Sequence, residues 1–320
     1  MKRLILFIYL LPLCVFGQTT LVNGCTDPTA CNYDSLANLD DGSCISPTSS
    51  TTTVATCDSS YTWNGTNYTQ SGTYSYSDSS TQSNNYSMIF DGNDDYISVP
   101  PNGTLSNLSE MTASCWIKTI NLSSGNSPIL HKWAQQEGTG NRAYTFRIEH
   151  SYNVISLNVR TANGGDFYVD FSIDSLNANE WEYVSFTYNG TDISLYLNGV
   201  MMATNTTSGG NIIVSNENLY IGSDPPYNRF FNGLMDNIQI WNIALSAQEI
   251  QQYMSCPPTG SETGLVGYWN FETGSGTTAY DRTSNGNNGT LVNGATYNTN
   301  VPSQSCALTN ANGCDSTAIL

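Results

Sequence analysis

The chain has 320 residues, only 11% of them charged, and its formal net charge is −17. This length allows one large β domain together with smaller modules. The nine Lys and Arg residues are too few to neutralise a nucleic-acid backbone, so nucleic acid is excluded as a partner. Carboxylates and amide carbonyls favour hard cations such as calcium, although an acidic surface can also simply keep an exported protein dispersed.

Residues 1–18 have the pattern of a secretory signal peptide. Lys2 and Arg3 precede an apolar stretch, 4–16, that is too short to span a bilayer comfortably. No other stretch is apolar enough to cross a membrane, so the mature chain is predicted to be secreted or held at the cell surface without a membrane span. Cys14 leaves with the signal, so eight of the nine cysteines enter an oxidising setting where disulfides are expected.

The segment 24–44 is rich in cysteine and too short to build a hydrophobic core, so a disulfide, a bound metal or both are needed to hold its fold. Its carboxylates make it a weaker candidate for calcium, with turn formation beside a disulfide as the equal alternative. The candidate ligands are Asp27, Asp34, Asp40 and Asp41. The pairing of Cys25, Cys31 and Cys44 is left open, as is that of Cys115, which is interpreted as a small buried hydrophobic residue of a strand.

A Ser/Thr linker, 45–56, leads to a β repeat at 57–80, where Asn64-Gly65 signals a hairpin. Alternating apolar residues then predict an antiparallel sandwich over 87–254. The predicted strands include 111–118, 143–149, 154–160, 166–173, 181–188 and 192–198. The stretch 181–204 is predicted to form a three-stranded meander. Ser246 and Glu249 have the spacing of a capping box and predict one short helix at 246–254.

A trailing segment, 256–306, follows the helix, and it either completes the same sandwich or opens a second one. Completion is predicted because Cys256 and Cys306 could close the segment by a disulfide.

The sandwich motifs resemble the laminin-G-like jelly roll of the concanavalin A-like lectin/glucanase superfamily. They are Phe-Asp-Gly-x-Asp-Asp-Tyr from residue 90, Trp-Ile-Lys from 116, Trp-x-x-Val-x-Phe-x-Tyr-Asn-Gly from 181, Leu-Tyr-Leu-Asn-Gly from 195, Tyr-Ile-Gly from 220 and Phe-x-Gly-x-Met-Asp-x-Ile-x-Ile-Trp-x-x-Ala-Leu-Ser from 231. The resemblance implies an all-β, antiparallel jelly-roll sandwich with one short helix, accompanied by small Cys-rich and β-repeat modules.

Two further resemblances concern the flanking modules. The run 24–44 resembles a Cys-rich repeat of exported proteins from gliding marine bacteria. The segment 57–80 is similar to the first half of a β repeat of bacterial surface adhesins, and Gly-Cys-Asp-Ser-Thr-Ala-Ile-Leu at 313–320 is similar to its second half. The resemblance implies that the sandwich is inserted into this repeat, with 307–320 as its truncated second half. Cys57 and Cys314 would then be disulfide partners.

The jelly-roll resemblance also implies a calcium ion bridging the first and last strands. It maps Asp91, Gly92, Asp94 and Asp236 onto that site. The alternative is that these aspartates cap turns.

Glycan binding follows from the family resemblance alone. The speculative glycan-binding residues are Trp133, Arg142, Tyr227 and Arg229. No run of three alternating acidic residues of the kind found in sandwich glucanases is present, and neither is a Gly-x-Ser-x-Gly motif, so no catalytic residues are assigned.

The sequence therefore predicts a secreted or cell-surface module for adhesion or carbohydrate recognition. It is expected to bind an extracellular glycan or a surface protein rather than to catalyse a reaction, with calcium as a structural cofactor. The alternatives are a structural spacer in a larger surface protein and a non-catalytic accessory domain of a glycoside hydrolase.

Overall fold

A computed structural model describes residues 22–24, 26, 38–40, 51–53, 61–63, 66–68, 73–75, 84–120, 126–134, 142–304 and 317–319. The chain divides into two compact units. One unit comprises residues 1–79 and 307–320, and the other comprises residues 80–306.

The smaller unit contains short strands. They are β1 (Asn23–Gly24), β2 (Leu39–Asp40), β3 (Thr51–Thr53), β4 (Tyr61–Trp63), β5 (Thr66–Tyr68) and β6 (Thr73–Ser75). The strand Thr317–Ile319, near the C-terminal end of the sequence, pairs with β3 in parallel and with β6 in antiparallel orientation. Residues more than 240 positions apart along the sequence thus share one small sheet in this unit.

The larger unit is a sandwich of two antiparallel sheets. Its strands are β7 (Ser87–Asp91), β8 (Tyr96–Val99), β9 (Met111–Thr119), β10 (Asn126–Trp133), β11 (Arg142–Glu149), β12 (Val154–Arg160), β13 (Asp166–Ser172), β14 (Glu182–Tyr188), β15 (Asp192–Leu197), β16 (Val200–Thr206), β17 (Leu219–Ile221), β18 (Ser223–Asp224), β19 (Arg229–Phe230), β20 (Asn232–Trp241), β21 (Leu265–Trp269), β22 (Thr278–Ala279), β23 (Gly289–Val292) and β24 (Thr296–Asn298). Short 3-10 turns lie at Gly103–Leu105, Ile173–Ser175 and Pro225–Tyr227.

The strand order defines a front sheet and a back sheet. The front sheet runs β13-β12-β11-β10-β17-β8-β23-β22, and the back sheet runs β16-β15-β14-β9-β20-β7-β24, with β21 paired to β20. The predicted all-β jelly-roll class is confirmed. The β7 and β20 strands, which carry the first and last sandwich motifs, lie side by side.

The core lies between the two sheets, because each strand turns every second side chain inward. In β13, Val169 and Phe171 are buried while Tyr168 and Asp170 are exposed. The rings of Phe146 in the front sheet and Phe186 in the back sheet meet edge to face with centroids 5.4 Å apart. Contacts of this kind set the distance between the sheets. Because side chains alternate along each strand, the outward residues of β11–β13 face solvent.

The predicted meander consists of β14, β15 and β16, paired in sequence. Asn198 and Gly199 both have positive φ, as a two-residue type I′ turn requires. The first turn is different, because the Asn189 side chain accepts hydrogen bonds from the backbone N–H of Thr191 and Asp192.

The predicted helix is α1 (Ala247–Ser255), and its capping box between Ser246 and Glu249 is present. Ile250 faces a second apolar cluster on the outer side of the back sheet, where it meets Trp241 and Tyr268. The helix therefore covers one outer face of the sandwich, whereas no described helix covers the front sheet over β12 and β13.

The trailing segment contributes strands to both sheets of this sandwich. In the front sheet β23 pairs with β8, and in the back sheet β21 pairs with β20 and β24 pairs with β7. Cys256 is disulfide-bonded. Its predicted partner Cys306 lies outside the described residues, as do Cys57 and Cys314.

Asp281 organises the loop that joins the trailing strands. Its Oδ1 accepts hydrogen bonds from the backbone N–H of Tyr268 and Thr283, and its Oδ2 accepts from Thr283 Oγ1 and the backbone N–H of Asn287. We expect Asp281→Ala to lower the free energy of unfolding by about 2–4 kcal/mol, because buried N–H groups lose their acceptors. Urea unfolding followed by tryptophan fluorescence measures this loss.

The control for this prediction is Glu180→Gln, which removes a carboxylate from an exposed turn. Its expected change in the free energy of unfolding is within about 0.5 kcal/mol. Equal stability of the Asp281→Ala variant and the wild type would show that the loop hydrogen bonds do not hold the trailing segment.

Candidate functional site

A groove of about 400 Å³ lies on the outer face of the front sheet, over β11, β12 and β13. Its size falls within the range of small-ligand sites. The groove is lined by Arg147, Glu149, Tyr152, Val154, Ser156, Asn158, Tyr168 and Asp170. The antiparallel register places Arg147, Ser156 and Asp170 in one row across the three strands, and Thr145, Asn158 and Tyr168 in the next row.

Two tyrosines project beside the groove. Tyr152, in the turn between β11 and β12, is 75% exposed, and Tyr168 in β13 is 61% exposed. Each ring leaves apolar area in water, and aromatic residues of this kind are common where one face packs on a ligand and the hydroxyl stays wet. The polar groove therefore carries apolar faces against which a ligand can stack.

The charged groups of the groove are partly paired. The Arg147 guanidinium donates to Glu149 Oε1 through both Nε and Nη2. Asp170 is exposed, and its carboxylate receives no hydrogen bond from the part of the chain that the structure describes. Asn158 Oδ1 is buried without a hydrogen-bond partner among the described residues. The groove thus offers a ligand the exposed Asp170 carboxylate as a hydrogen-bond acceptor, whereas Asn158 Oδ1 has almost no accessible surface.

A short hairpin of β18 and β19 packs against β10 of the same sheet. Asp224 of this hairpin is 2% exposed, and its Oδ1 lies 3.3 Å from Nε2 of His131, whereas its Oδ2 lies 3.7 Å from Nη1 of Arg229. His131 Nε2 also lies 3.0 Å from the Trp133 carbonyl oxygen, so Nε2 carries the hydrogen. His131 Nδ1 then accepts from Thr145 Oγ1 at 3.1 Å.

Burial shifts the two titratable groups of this contact in opposite senses. Burial raises the pKa of Asp224 from 3.8 to about 6, against the lowering effect of Arg229 and Arg147. Burial lowers the pKa of His131 from 6.5 to about 4. Between pH 4 and pH 6 the folded chain therefore holds a proton on Asp224 rather than on His131.

The four residues predicted to bind glycan form two cation–π pairs instead of lining this groove. The Arg142 guanidinium lies 5.6 Å from the Trp133 ring centre, at the end of β10 and the start of β11. The Arg229 guanidinium lies 4.8 Å from the Tyr227 ring centre, on the hairpin. Of the residues that line the groove, the sequence suggests only Tyr152, as an aromatic loop residue that could stack on a sugar. The groove residues in the strands were missed, because aspartates spaced evenly along a strand are most simply interpreted as its solvated face. The alternation of Tyr168 and Asp170 was the available signal.

Of the four calcium ligands predicted from the family resemblance, Asp91, Gly92 and Asp94 are neighbours at the end of β7, whereas Asp236 lies apart from them. In the β7–β20 register, Asp91 pairs with Asn232, which is four residues away from Asp236 along β20. Asp236 is fully buried, and its oxygens accept from Asn84 Nδ2 at 2.9 Å and the backbone N–H of Asn237 at 2.7 Å. Burial raises its pKa well above the usual range. The strand register thus does not place the Asp236 carboxylate beside that of Asp91.

A smaller acidic cluster does form at the end of β7. Asp91, Asp94 and Asp95 can place one carboxylate oxygen each within 4.8 Å of the others. Asp91 Oδ1 already accepts from the backbone N–H of Asn93 at 2.8 Å, and Asp95 accepts from the backbone N–H of Asp91 and Gly294.

Gly92 has φ of +80° in this loop, and a Cβ there would lie 2.7 Å from Cβ of Asn232. Turn formation accounts for these hydrogen bonds, while Asp94 keeps an exposed carboxylate without a hydrogen bond from the described residues.

The weaker calcium candidates cannot be placed as a group. Asp27, Asp34 and Asp41 lie outside the described residues, and Asp40 is exposed in β2. Cys115 is a free thiol with no exposed surface, in agreement with its interpretation as a small hydrophobic residue.

A family model now decides the classification. The model of the concanavalin A-like lectin/glucanases superfamily matches residues 91–251. The chain belongs to this superfamily. The matched region of this lectin/glucanase chain contains the whole groove and ends within α1, and the trailing strands of the sandwich lie beyond it.

Solved structures show where this lectin/glucanase fold recurs. A "putative carbohydrate binding protein" from Bacteroides ovatus ATCC 8483 is 22% identical with a TM-score of 0.51, over 69% of this chain and 62% of that one. The binding domain of Paraclostridial Mosquitocidal Protein 1 is 14% identical with a TM-score of 0.40, over 58% of this chain and 51% of that one.

The native heptameric SAP-like pentraxin from Limulus polyphemus is 12% identical with a TM-score of 0.43, over 74% of this chain and 98% of that one. The comparison with curated proteins found no match.

The likeness to the Bacteroides ovatus structure identifies a shared fold and leaves function to the groove itself. The chain spans 62% of the length of the Bacteroides ovatus structure. In the described part of the chain, no helix is both long and apolar enough to cross a membrane.

The opposite pKa shifts of Asp224 and His131 predict a measurable pH dependence. As pH falls from 7 to 4, Asp224 binds a proton more tightly in the folded chain than in the unfolded chain, which stabilises the folded state. His131 binds a proton less tightly in the folded chain, which destabilises the folded state. The two contributions offset each other. Asp224→Asn removes only the stabilising contribution of Asp224 protonation and leaves the destabilising contribution of His131 in place. We expect the free energy of unfolding of this variant, relative to wild type, to fall by about 1 kcal/mol per pH unit between pH 6 and pH 4.

Urea unfolding of both proteins at several pH values measures this difference. Asp170→Asn serves as the control, because it removes an exposed aspartate that has no buried partner. Parallel stability curves for wild type and Asp224→Asn would contradict the prediction.

Proposed function

We propose that this chain is a carbohydrate-binding module whose ligand site is the groove over β11–β13. The observation that carries the proposal is the pair of exposed rings, Tyr152 and Tyr168, beside a polar floor. An aromatic ring covers the C–H face of a sugar, while groups such as Ser156 and Asn158 reach its hydroxyls. A structural spacer would have no use for two aromatic rings left in water beside a concave polar surface.

The superfamily and one structural relative support this proposal. Lectins and glucanases share this fold, and the Bacteroides ovatus protein is described as a putative carbohydrate binding protein. The signal-like residues 1–18 support action outside the cell, on a glycan of the surroundings or of another surface.

We propose binding without catalysis. Glycoside hydrolysis needs two carboxyl groups placed on either side of one bond, one of them free to deliver a proton. In this groove Glu149 is held by the Arg147 guanidinium, and Asp170 stands two strands away from Arg147. An accessory or adhesive role for the module is therefore preferred over a hydrolase.

Removal of the rings tests the proposal. We expect Tyr168→Ala, and separately Tyr152→Ala, to weaken glycan affinity about tenfold each, because each variant loses a stacking face. A glycan array screened with the full chain identifies the ligand, and isothermal titration calorimetry measures the affinities. Tyr280→Ala is the matched control, since Tyr280 is 48% exposed and does not line the groove.

Unchanged affinity in both groove variants would place the ligand site elsewhere on the fold. A loss in the Tyr280→Ala variant would point to the same conclusion. An array without any bound glycan, in buffers with and without calcium, would favour the spacer function.

We also propose that calcium stabilises the loop that follows β7, now with Asp91, Asp94 and Asp95 as its ligands. The support is the three carboxylates that can approach within 4.8 Å and the preference of calcium for such oxygens. Saturating calcium is expected to raise the melting temperature by about 5–10 °C over excess chelator.

Asp94→Asn provides the sharpest variant for this calcium test. It removes a ligand charge without disturbing the turn, because the Asp94 carboxylate accepts no hydrogen bond from the described residues. We expect it to abolish the calcium-dependent increase and to leave the melting temperature in chelator unchanged. Equal melting temperatures of the wild type with calcium and with chelator would leave these aspartates as turn formers.

A further inference from the structure

The chemistry of the groove floor bears on which sugars it accepts, and the inference drawn from it rests on the proposed carbohydrate function. The ionisable side chains among its lining residues are one arginine, two carboxylic acids and two tyrosines. Arg147 directs Nε and Nη2 to Glu149, so its positive charge is already matched. The second carboxylate, Asp170, leaves the lining with one net negative charge.

One accessible acceptor of the floor lacks a donor within the described residues. Asp170 is exposed in β13, and Tyr168, two residues earlier, lies on the same face of that strand. The register places Asp170 beside Ser156 of β12. A single ligand ring can therefore contact both Tyr168 and Asp170.

An unfilled acceptor selects a ligand that donates hydrogen bonds. A sugar hydroxyl can donate, whereas a sulfate ester or an ionised uronate carboxylate can only accept. A hydroxyl that donates to the Asp170 carboxylate forms a charge-assisted hydrogen bond, which is stronger than one between neutral groups.

Electrostatics act in the same direction. Asp170 repels an anionic group in the groove, and the net charge of −17 repels a polyanion during approach. The Arg147 guanidinium is paired with the Glu149 carboxylate and is therefore not an open anion anchor.

We infer that the groove selects neutral, hydroxyl-rich glycans and discriminates against sulfated and uronate-containing ones. Hydroxyls of one sugar ring donate to the Asp170 carboxylate while the ring stacks on Tyr168. Asp170 is thus the specificity-determining residue of the site.

The test compares four soluble probes with the full chain: a neutral glucan, a neutral galactan, a polyuronate and a sulfated galactan. Calorimetry is carried out at low and high sodium chloride, about 50 and 500 mM, because salt screens charge contacts and leaves hydroxyl contacts almost unchanged. We expect binding to at least one neutral probe with less than about a twofold change between the two salt concentrations, and binding to the anionic probes at least about tenfold weaker.

Substitution of this acceptor completes the design. Asp170→Ala is expected to weaken neutral-glycan binding about tenfold. Asp170→Asn keeps an acceptor oxygen and removes the charge, so we expect it to retain more neutral-glycan affinity than Asp170→Ala and to reduce the difference in affinity between the neutral and the anionic probes. Glu180→Gln, which removes an equal charge outside the groove, is the control and is expected to behave as wild type.

The outcomes separate this inference from the function on which it rests. Salt-sensitive preference for an anionic probe, lost in Arg147→Gln, would overturn the inference and leave carbohydrate binding intact. Neutral-glycan binding that needs Tyr168 but is unaffected by Asp170→Ala would do the same. No binding to any probe or array glycan would overturn the proposed function and the inference together.

Discussion

The sandwich depends on the burial of β20 in the middle of the back sheet. This strand pairs with β7, β9 and β21, and its side chains from Gly233 to Trp241 are buried. Three of its residues are polar, and a buried polar group is costly unless it is hydrogen-bonded. Segments from both ends of the unit supply partners: Asn84 reaches Asp236, while Tyr268 and Gln304 reach Asn237. The trailing segment thus supplies hydrogen-bond partners to the buried polar side chains of β20, in addition to adding strands to the sheets.

The same constraint separates a structural aspartate from a functional one. Asp236 and Asp170 look alike in sequence, since each lies in an alternating strand near aromatic residues. Asp236 faces a closed region in which its oxygens accept from Asn84 and from the backbone. Asp170 faces outward on β13, where the described residues leave its carboxylate to solvent or ligand. Position in the sandwich, rather than residue type, decides which carboxylate can take part in recognition.

The asymmetry of the two outer faces explains where a ligand can bind. The helix α1 and the trailing strands cover the back sheet with an apolar cluster that includes Tyr183 and Trp241. Among the described residues, the front sheet is covered only in part, by the hairpin of β18 and β19 that packs against β10. Over β11–β13 the sheet surface stays open, and there the outward side chains form the groove. A rigid sheet holds these side chains in fixed register, which keeps the entropy cost of ligand binding low.

The sequence by itself determined the sandwich, the meander and the helix, because period-two alternation, Asn-Gly turns and the Ser246–Glu249 capping box are local signals. It also determined the superfamily, because several motifs occur in the required order. Only the tertiary structure decided the site. Strand register separated Asp91 from Asp236, and it aligned Arg147, Ser156 and Asp170 across neighbouring strands. Register is a long-range property, since it depends on which strands become neighbours and which faces they bury, and no single stretch of sequence contains that information.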